Sequence, residues 1–553
     1  MNAYGNPIWA TENASTSMPG LMMDVPLMIS SILTHAARWY SNVEVVTRTV
    51  EGPIHRYTYG EAAERTAQLA NALRALGVER GERVGTLAWN THRHFELYYG
   101  ISGIGAVLHT INPRLHASQI AYIINHAQDR YIFVDLTFVP ILEAIASKMP
   151  SVRGYVILTA EATMPKTSLP NALCYETLLA AQPKTIDWPL FDERTASSLC
   201  YTSGTTGAPK GVLYSHRSTL LHAMSCNSVD QNSRRKILHC VMPLVPMFHV
   251  NGWGSPYTAP MIGSKLVMVG AGYDAASIYE LMEQEGVTAA GGVPAIWLRL
   301  LTYMQENGKS LSTLKSLRVG GSAAAPSLIG AFEGMGIDVH HGWGMTEASP
   351  VCTSGCLRPQ EDNSARRLAA HAKAGHCLFG VDMKIVDSNG ATLPDDGIAQ
   401  GELYIRGPWV ASAYYENAEA TAYSFTEDGW FRTGDIASLE SDGYLTIRDR
   451  AKDLIKSGGE WISSIDLENV ALGHEEVDEA AAIAIPDEKW GERPALVIRR
   501  AAGSSLDAAA IIEFLRPKVA SWWIPERIVF VDEMPYSASG KISKKTLRER
   551  FAP

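Results

Sequence analysis

No stretch of this 553-residue chain reaches the roughly 18 consecutive apolar residues that a bilayer-spanning helix requires, so no transmembrane segment is predicted. The opening residues, Met1 to Met18, are polar and lack a basic region followed by an apolar block, which excludes a secretory signal and leaves a cytoplasmic protein as the expectation. Cysteine is sparse: there are seven, an odd number, and Cys352 and Cys356 are the only close pair. With no second pair, neither a zinc site nor a disulfide framework is implied, and reduced, mostly buried thiols are expected. Positive charge is also short, 48 Lys and Arg against 58 Asp and Glu for a net charge of −10, which argues against nucleic acid as a partner. An acidic chain that holds a polyanion must gather its cations locally, which draws attention to Lys210, Arg450 and Lys541. With 46% hydrophobic and only 19% charged residues, the chain can bury a large core, and its length implies more than one domain.

What is abundant is glycine and hydroxyl around one loop. Leu199-Cys-Tyr-Thr-Ser-Gly-Thr-Thr-Gly-Ala-Pro-Lys-Gly-Val-Leu213 passes from an apolar lead-in to Thr202, Ser203, Gly204, Thr205 and Thr206, then closes on Pro209, Lys210 and Gly211. Backbone N–H groups, hydroxyls and one ammonium in so few residues suit a phosphate cradle. The common nucleotide-triphosphatase loop ends in Gly-Lys-Ser/Thr, and this one does not. Before the loop, Thr58-Tyr-Gly-Glu61 reads as a capping box, and Leu69, Leu73 and Leu76 follow at helical spacing up to Gly77. Strand patterns at 83–88, 106–111 and 131–135 alternate with helical ones at 94–104 and 118–127, which implies a largely parallel sheet with helices on its faces. Residues 160–195, rich in Thr, Pro and Ala, read as an irregular connector.

Further along, several segments set polar residues at the ends of apolar runs. Pro246-Met-Phe-His-Val-Asn-Gly-Trp253 holds a single histidine, His249, that suits either a core or a site. Ala289-Ala-Gly-Gly-Val-Pro-Ala-Ile-Trp297 is a strand entering a helix, its glycines fitting close packing or a pocket wall equally. Arg318-Val-Gly-Gly-Ser-Ala-Ala-Ala325 is a strand entering a small-residue turn, and Asp338-Val-His-His-Gly-Trp-Gly-Met-Thr-Glu347 flanks Trp343 with two glycines before a hydroxyl and a carboxylate. Ala399 to Gly407 alternates like a half-exposed strand. Trp430-Phe-Arg-Thr-Gly-Asp435 and Gly443 to Arg450 follow, and Tyr536-Ser-Ala-Ser-Gly-Lys541 is a polar loop presenting one lysine.

Residues 202–211 match without a break the phosphate-binding motif of adenylate-forming enzymes, and from about Tyr57 to Phe551 the chain resembles that superfamily. Pro246 to Trp253 and Asp449 to Trp461 look closest to medium- and long-chain fatty acyl-CoA synthetases, and methylthiopropionate-CoA ligases share these stretches. The resemblance implies an α/β fold: a large N-terminal domain (1–449) of parallel sheets with flanking helices and a β-rich sublobe, a hinge at 450–453, and a small mobile α+β domain (454–553). It implies ATP, Mg²⁺ and coenzyme A as the partners of a small-molecule carboxylic acid, and a homodimer. Thr202 to Thr206 and Lys210 would hold phosphates. Glu347, with Thr202, would hold the metal beside Thr346. Gly321, Ser322 and Ala323, with His341, Gly342, Trp343, Gly344 and Met345, would surround adenine, Trp343 stacking where relatives have Tyr. Asp435 and Arg450 would hold the ribose. His249, Val250 and Trp253 would stand where acyl chain and nucleotide meet.

A carboxylic acid is ionised at neutral pH, so attack on the α-phosphorus of ATP needs neutralisation of charge rather than a base. By resemblance Lys541 serves this step, whereas Lys456 and Trp461 enter for the thiol step after rotation about Lys452, Gly458 and Gly459 leaving room for the pantetheine arm. His249 is a candidate base for the thiol. A short-acid CoA ligase, a ligase loading a carrier protein, a luciferase-like monooxygenase and a catalytically silent nucleotide-binding module are the alternatives.

Overall fold

Thr58 starts the first long helix in the way its sequence predicts. In Tyr59–Ala75, the Glu61 N–H donates to Thr58 Oγ1 at 3.3 Å while the Thr58 N–H donates to Glu61 Oε2 at 2.8 Å. Leu69 and Leu73 are buried one turn apart, and the chain leaves through Gly77 at φ +76°. This computed structural model describes residues 20–202, 208–228, 239–355, 371, 373–457, 460–537 and 541–552.

Two seven-stranded sheets build the large unit. One runs Ala172–Cys174, Gly154–Ile157, Tyr131–Val134, Arg83–Leu87, Val107–Thr110, Ala196–Tyr201 and Gly211–Ser215, parallel except for the last pair. The other runs Asp338–His341, Ser316–Val319, Ala289–Gly292, Cys240–Pro243, Lys265–Met268, Glu44–Arg48 and Ile54–Thr58, again antiparallel only at its final pair. Both sheets are covered by helices, and Tyr98, Tyr99 and Tyr257 fill the core that joins them. The stretch 160–195, expected to be an irregular connector, supplies an edge strand at Ala172–Cys174 and a helix at Tyr175–Ala180. Tyr175 is fully buried and its hydroxyl donates to the buried Glu96 at 2.6 Å, so tertiary contact overrides a composition that favours loop.

A four-stranded antiparallel sheet follows: Asp382–Val386, Gly401–Arg406, Phe431–Leu439 and Leu445–Arg450. Its second strand is less exposed than alternation predicts, because Leu403, Tyr404 and Ile405 are all buried, Tyr404 under Trp430. The final unit has five strands, Glu460–Ile462, Ile455–Ser457, Gly491–Arg500 and Val477–Asp487, with Arg527–Val531 beside Gly491–Arg500. The helices Ser464–Ala471, Ala508–Leu515 and Lys544–Phe551 pack on it. The fold is thus a large α/β unit with a β-rich sublobe and a smaller α+β unit. Among the described residues no helix is long and apolar enough to cross a membrane.

Strand Leu445–Arg450 ties the last two units together. Asp449 Oδ2 accepts from the Ser464 N–H at 2.6 Å, and Oδ1 accepts from the Ser464 hydroxyl at 2.9 Å and the Arg450 N–H at 2.7 Å. The carboxylate satisfies a free N–H in the first turn of Ser464–Ala471, at the end of the helix where negative charge is favoured. Nearby, Arg548 of the last helix pairs with Asp453 at 2.8 Å.

Candidate active site

The parallel strands Cys240–Pro243, Ala289–Gly292, Ser316–Val319 and Asp338–His341 all end at one cavity of about 1670 Å³. Ligands of open α/β sheets bind beyond the carboxyl ends of strands, where side chains and loops meet without having to pair with the next strand. Each strand here feeds the cavity through its following turn: Val245 to Trp253, Pro294, Gly320 to Ala325, and Gly342 to Glu347. Gly320 and Gly321 have a steric reason to be glycine. A Cβ on Gly320 would stand 2.8 Å from the Gly342 carbonyl oxygen, and Gly321 sits at φ +81° with the Trp253 ring 3.4 Å from where its Cβ would be.

The cations gather on one side. Asp435 faces Arg450 across the antiparallel pair of strands Phe431–Leu439 and Leu445–Arg450, and Arg450 Nε lies 2.7 Å from Asp435 Oδ1. Trp343 Nε1 donates to Asp435 Oδ2 at 3.0 Å, so the indole that was expected to stack is also pinned by its edge to the ribose candidate. Lys541 enters the same cavity from the smaller unit, in a loop closed by the bridge between Tyr536 and Ile542. Burial, with the charges of Arg450 and Lys452 against that of Asp435, pulls the Lys541 ammonium down to about 8. Burial likewise lowers Lys452, which also lines the cavity. Arg450, Lys452, Lys541 and Arg548 against Asp435 and Asp453 leave an excess of positive charge that an anionic ligand relieves.

Opposite stands Glu347, 6% exposed. Burial raises its carboxyl, and a hydrogen bond from the Tyr414 hydroxyl at 2.6 Å opposes that rise. The Lys210 ammonium lies 4.9 Å from the Tyr414 ring centroid, and the Lys210 N–H donates to Thr202 Oγ1 at 3.4 Å. Tyr414 therefore connects metal candidate and phosphate lysine, a role invisible in sequence because its partner is 67 positions away and it lies in a loop without periodicity. Among the described residues no cluster of three or more His, Cys, Asp or Glu forms a metal cage. The all-oxygen donors Glu347 and Thr202 fit Mg²⁺ carried by a nucleotide, since that ion keeps waters and phosphate oxygens and needs few protein ligands.

His249 lines the cavity, its imidazole lowered to about 4 by burial and then by the Lys541 and Arg114 charges, which leaves it neutral and weakly basic at neutral pH. Val250, Asn251, Gly252, Trp253 and Gly254 then run at φ between +46° and +76°, a left-handed turn held by β-branched and aromatic residues that ordinarily avoid it. The turn lays the Trp253 ring over Gly320 and Gly321. The cavity also takes in Ser322, Ala323, His341, Gly344, Met345 and Thr346 as expected. Ser203, Gly204, Thr205, Thr206, Gly458 and Gly459 lie outside the described residues. Lys456 and Trp461, paired across the hairpin Ile455–Ser457 to Glu460–Ile462, are exposed and line no part of the cavity. The structure brings together Thr202, Lys210, His249, Glu347, Asp435, Arg450 and Lys541 and keeps Lys456 and Trp461 apart from them.

Fold and cleft together define a two-lobed ligase of the adenylate-forming superfamily, an AMP-forming acyl-CoA synthetase. The chain belongs to the AMP-binding enzyme family: that family's model matches residues 33–415, and the model of the AMP-binding enzyme C-terminal domain matches 466–541. It is 45% identical over 542 residues to a 3-methylmercaptopropionyl-CoA ligase of Ruegeria lacuscaerulensis, covering 97% of this chain and 99% of the relative. It is 43% identical over 542 residues to a medium-chain-fatty-acid–CoA ligase of Ectopseudomonas oleovorans, with 97% and 98% covered. Among solved structures, an anthranilate CoA ligase in complex with anthranoyl-AMP superposes with a TM-score of 0.84 at 26% identity, covering 95% of this chain and 98% of that one.

Proposed function

We propose that this enzyme activates a short carboxylic acid, of the size of 3-methylmercaptopropionate, with Mg²⁺-ATP and passes the acyl group to coenzyme A. The observation that carries the reading is the Lys541 ammonium in one cavity with Asp435, Arg450 and Glu347. The carboxylate oxygen attacks the α-phosphorus, the bond to the β-phosphate bridging oxygen breaks, and pyrophosphate leaves. Lys541 neutralises the two anions as they meet, and Lys210 takes charge developing on pyrophosphate. Glu347 and Thr202 would hold Mg²⁺, which when bound supplies further neutralisation at the phosphates. Asp435 and Arg450 hold the ribose, and Trp253 closes the acyl side. The thiolate of coenzyme A then attacks the acyl carbonyl carbon and AMP leaves. Residues 450–453 serve as the pivot that exchanges Lys541 for Lys456 and Trp461 between the two steps.

The 45% identity to the methylmercaptopropionyl-CoA ligase supports a short acid over a fatty one, and the 43% identity to the medium-chain ligase supports a medium-chain acid as the second reading. Purified enzyme offered acetate through palmitate and 3-methylmercaptopropionate, with ATP and coenzyme A, should release AMP and pyrophosphate with a maximum among the short acids. A maximum at eight carbons or more favours the second reading, and release of ADP in place of AMP overturns both.

A further inference from the structure

Arg318 stands in the wall of the cavity, and among the described residues no carboxylate neutralises it. Strand Ser316–Val319 sends Leu317 and Val319 into the core beneath the helices Pro294–Glu306 and Pro326–Gly334. A strand alternates, so Ser316, Arg318 and Gly320 face the other way, and all three line the cavity. Arg318 is flanked in register by Gly291 and His340, which line it too. Gly291 brings no side chain, which leaves the arginine room above its strand. Helix His216–Ser228 contributes His222, lowered to about 3 by burial and then by the Arg318 charge, and Cys226, which lines the cavity.

Among the described residues no carboxylate, hydroxyl or carbonyl accepts a hydrogen bond from this guanidinium. A guanidinium remains charged in any protein setting and presents five donors in a fork shaped for a carboxylate. Arg318 is half-buried, and keeping it there without a counter-charge is unfavourable unless a ligand provides one. The cavity thus holds Lys541, beside Asp435 and expected to meet the carboxylate that is activated, and Arg318, which has no carboxylate partner among the described residues.

We propose that the acid accepted by this enzyme carries a second carboxylate, which Arg318 binds in bidentate fashion while the first is adenylated. This deepens the ligase reading and rests on it. An unbranched fatty chain leaves the guanidinium unpaired, so the same residue favours a diacid over the monoacid of equal length.

The test compares butanoate, hexanoate and octanoate with butanedioate, hexanedioate and octanedioate, measuring AMP release with ATP and coenzyme A. For at least one length the diacid should be preferred, and Arg318→Met should lower its kcat/KM by about a hundredfold, chiefly through KM, while raising that of the monoacid. Arg318→Lys, which keeps the charge, should restore part of the diacid activity and guards against a Met variant that misfolds. Calorimetric titration of the three diacids into the enzyme without ATP gives a readout independent of turnover, and heat lost in Arg318→Met supports the site. Preference for monoacids at every length, with the ratio unmoved in the Met and Lys variants, overturns it. If no acid is turned over, the ligase reading fails, and equal diacid binding by wild type and variants then overturns this proposal as well.

Discussion

Lys541 holds its proton less firmly than an exposed lysine because it is buried beside Arg450 and Lys452. Below about 8 the ammonium is charged and can meet both the acid and the phosphate. As pH rises through that value the charge is lost, so kcat/KM for ATP, which reports the free enzyme, should fall on the alkaline side with an apparent pKa near 8. Lys541→Arg should move that limb out of the measurable range, even if the maximum rate is lower. Tyr414 acts in the opposite sense on Glu347. Its hydroxyl holds the carboxyl down against burial, so Tyr414→Phe lets that pKa rise, and the acid limb of the same profile should shift to higher pH. A hydrogen bond to a charged group is worth about 1.5–3 kcal/mol, so kcat/KM for ATP should drop by about tenfold to a hundredfold. Short motifs made Glu347, Asp435 and Lys541 legible in the sequence, because each sits at a strand end or turn with its neighbours contiguous. Tyr414 and Arg318 are single residues whose meaning comes only from what the fold sets across from them.

Among the elements, the strand-and-helix alternation of the first 135 residues was legible because its periods are clean, and the capping box at Thr58 formed as its residue types require. The edge strand and helix within 160–195 were not, since a strand of three residues offers no period to read. Nor was the left-handed turn at Val250–Gly254, where two of the residues disfavour the conformation they adopt. Leu445–Arg450 is the element with the widest reach, for its Asp449 satisfies both the N–H and the hydroxyl of Ser464. Asp449→Ala leaves those donors without their acceptor and loosens the smaller unit at the position that carries Lys541. Acid-dependent exchange of pyrophosphate into ATP should fall by about tenfold, while thioester formation from supplied acyl-AMP should hold or rise. Equal loss of both half-reactions would show that Asp449 merely supports the fold.

Across the molecule, the described residues expected to make the adenylate share one cavity, and two of those expected to consume it stand outside it. Lys541 is in the cavity, whereas Lys456 and Trp461 are exposed on the hairpin of the smaller unit. Lys541→Ala should therefore abolish acyl-AMP formation and spare transfer from supplied acyl-AMP to coenzyme A, and Lys456→Ala should weigh on the transfer. Separate half-reaction assays, one without coenzyme A and one without ATP, check the division. The backbone beneath Trp253 adds a mechanical consequence. Two residues, Val250 and Trp253, are wound there against their preferred hand, each at about 1–3 kcal/mol. The wall that the Trp253 ring forms over Gly320 and Gly321 thus stands under tension, and a ligand that shifts the indole draws on energy already stored in the chain.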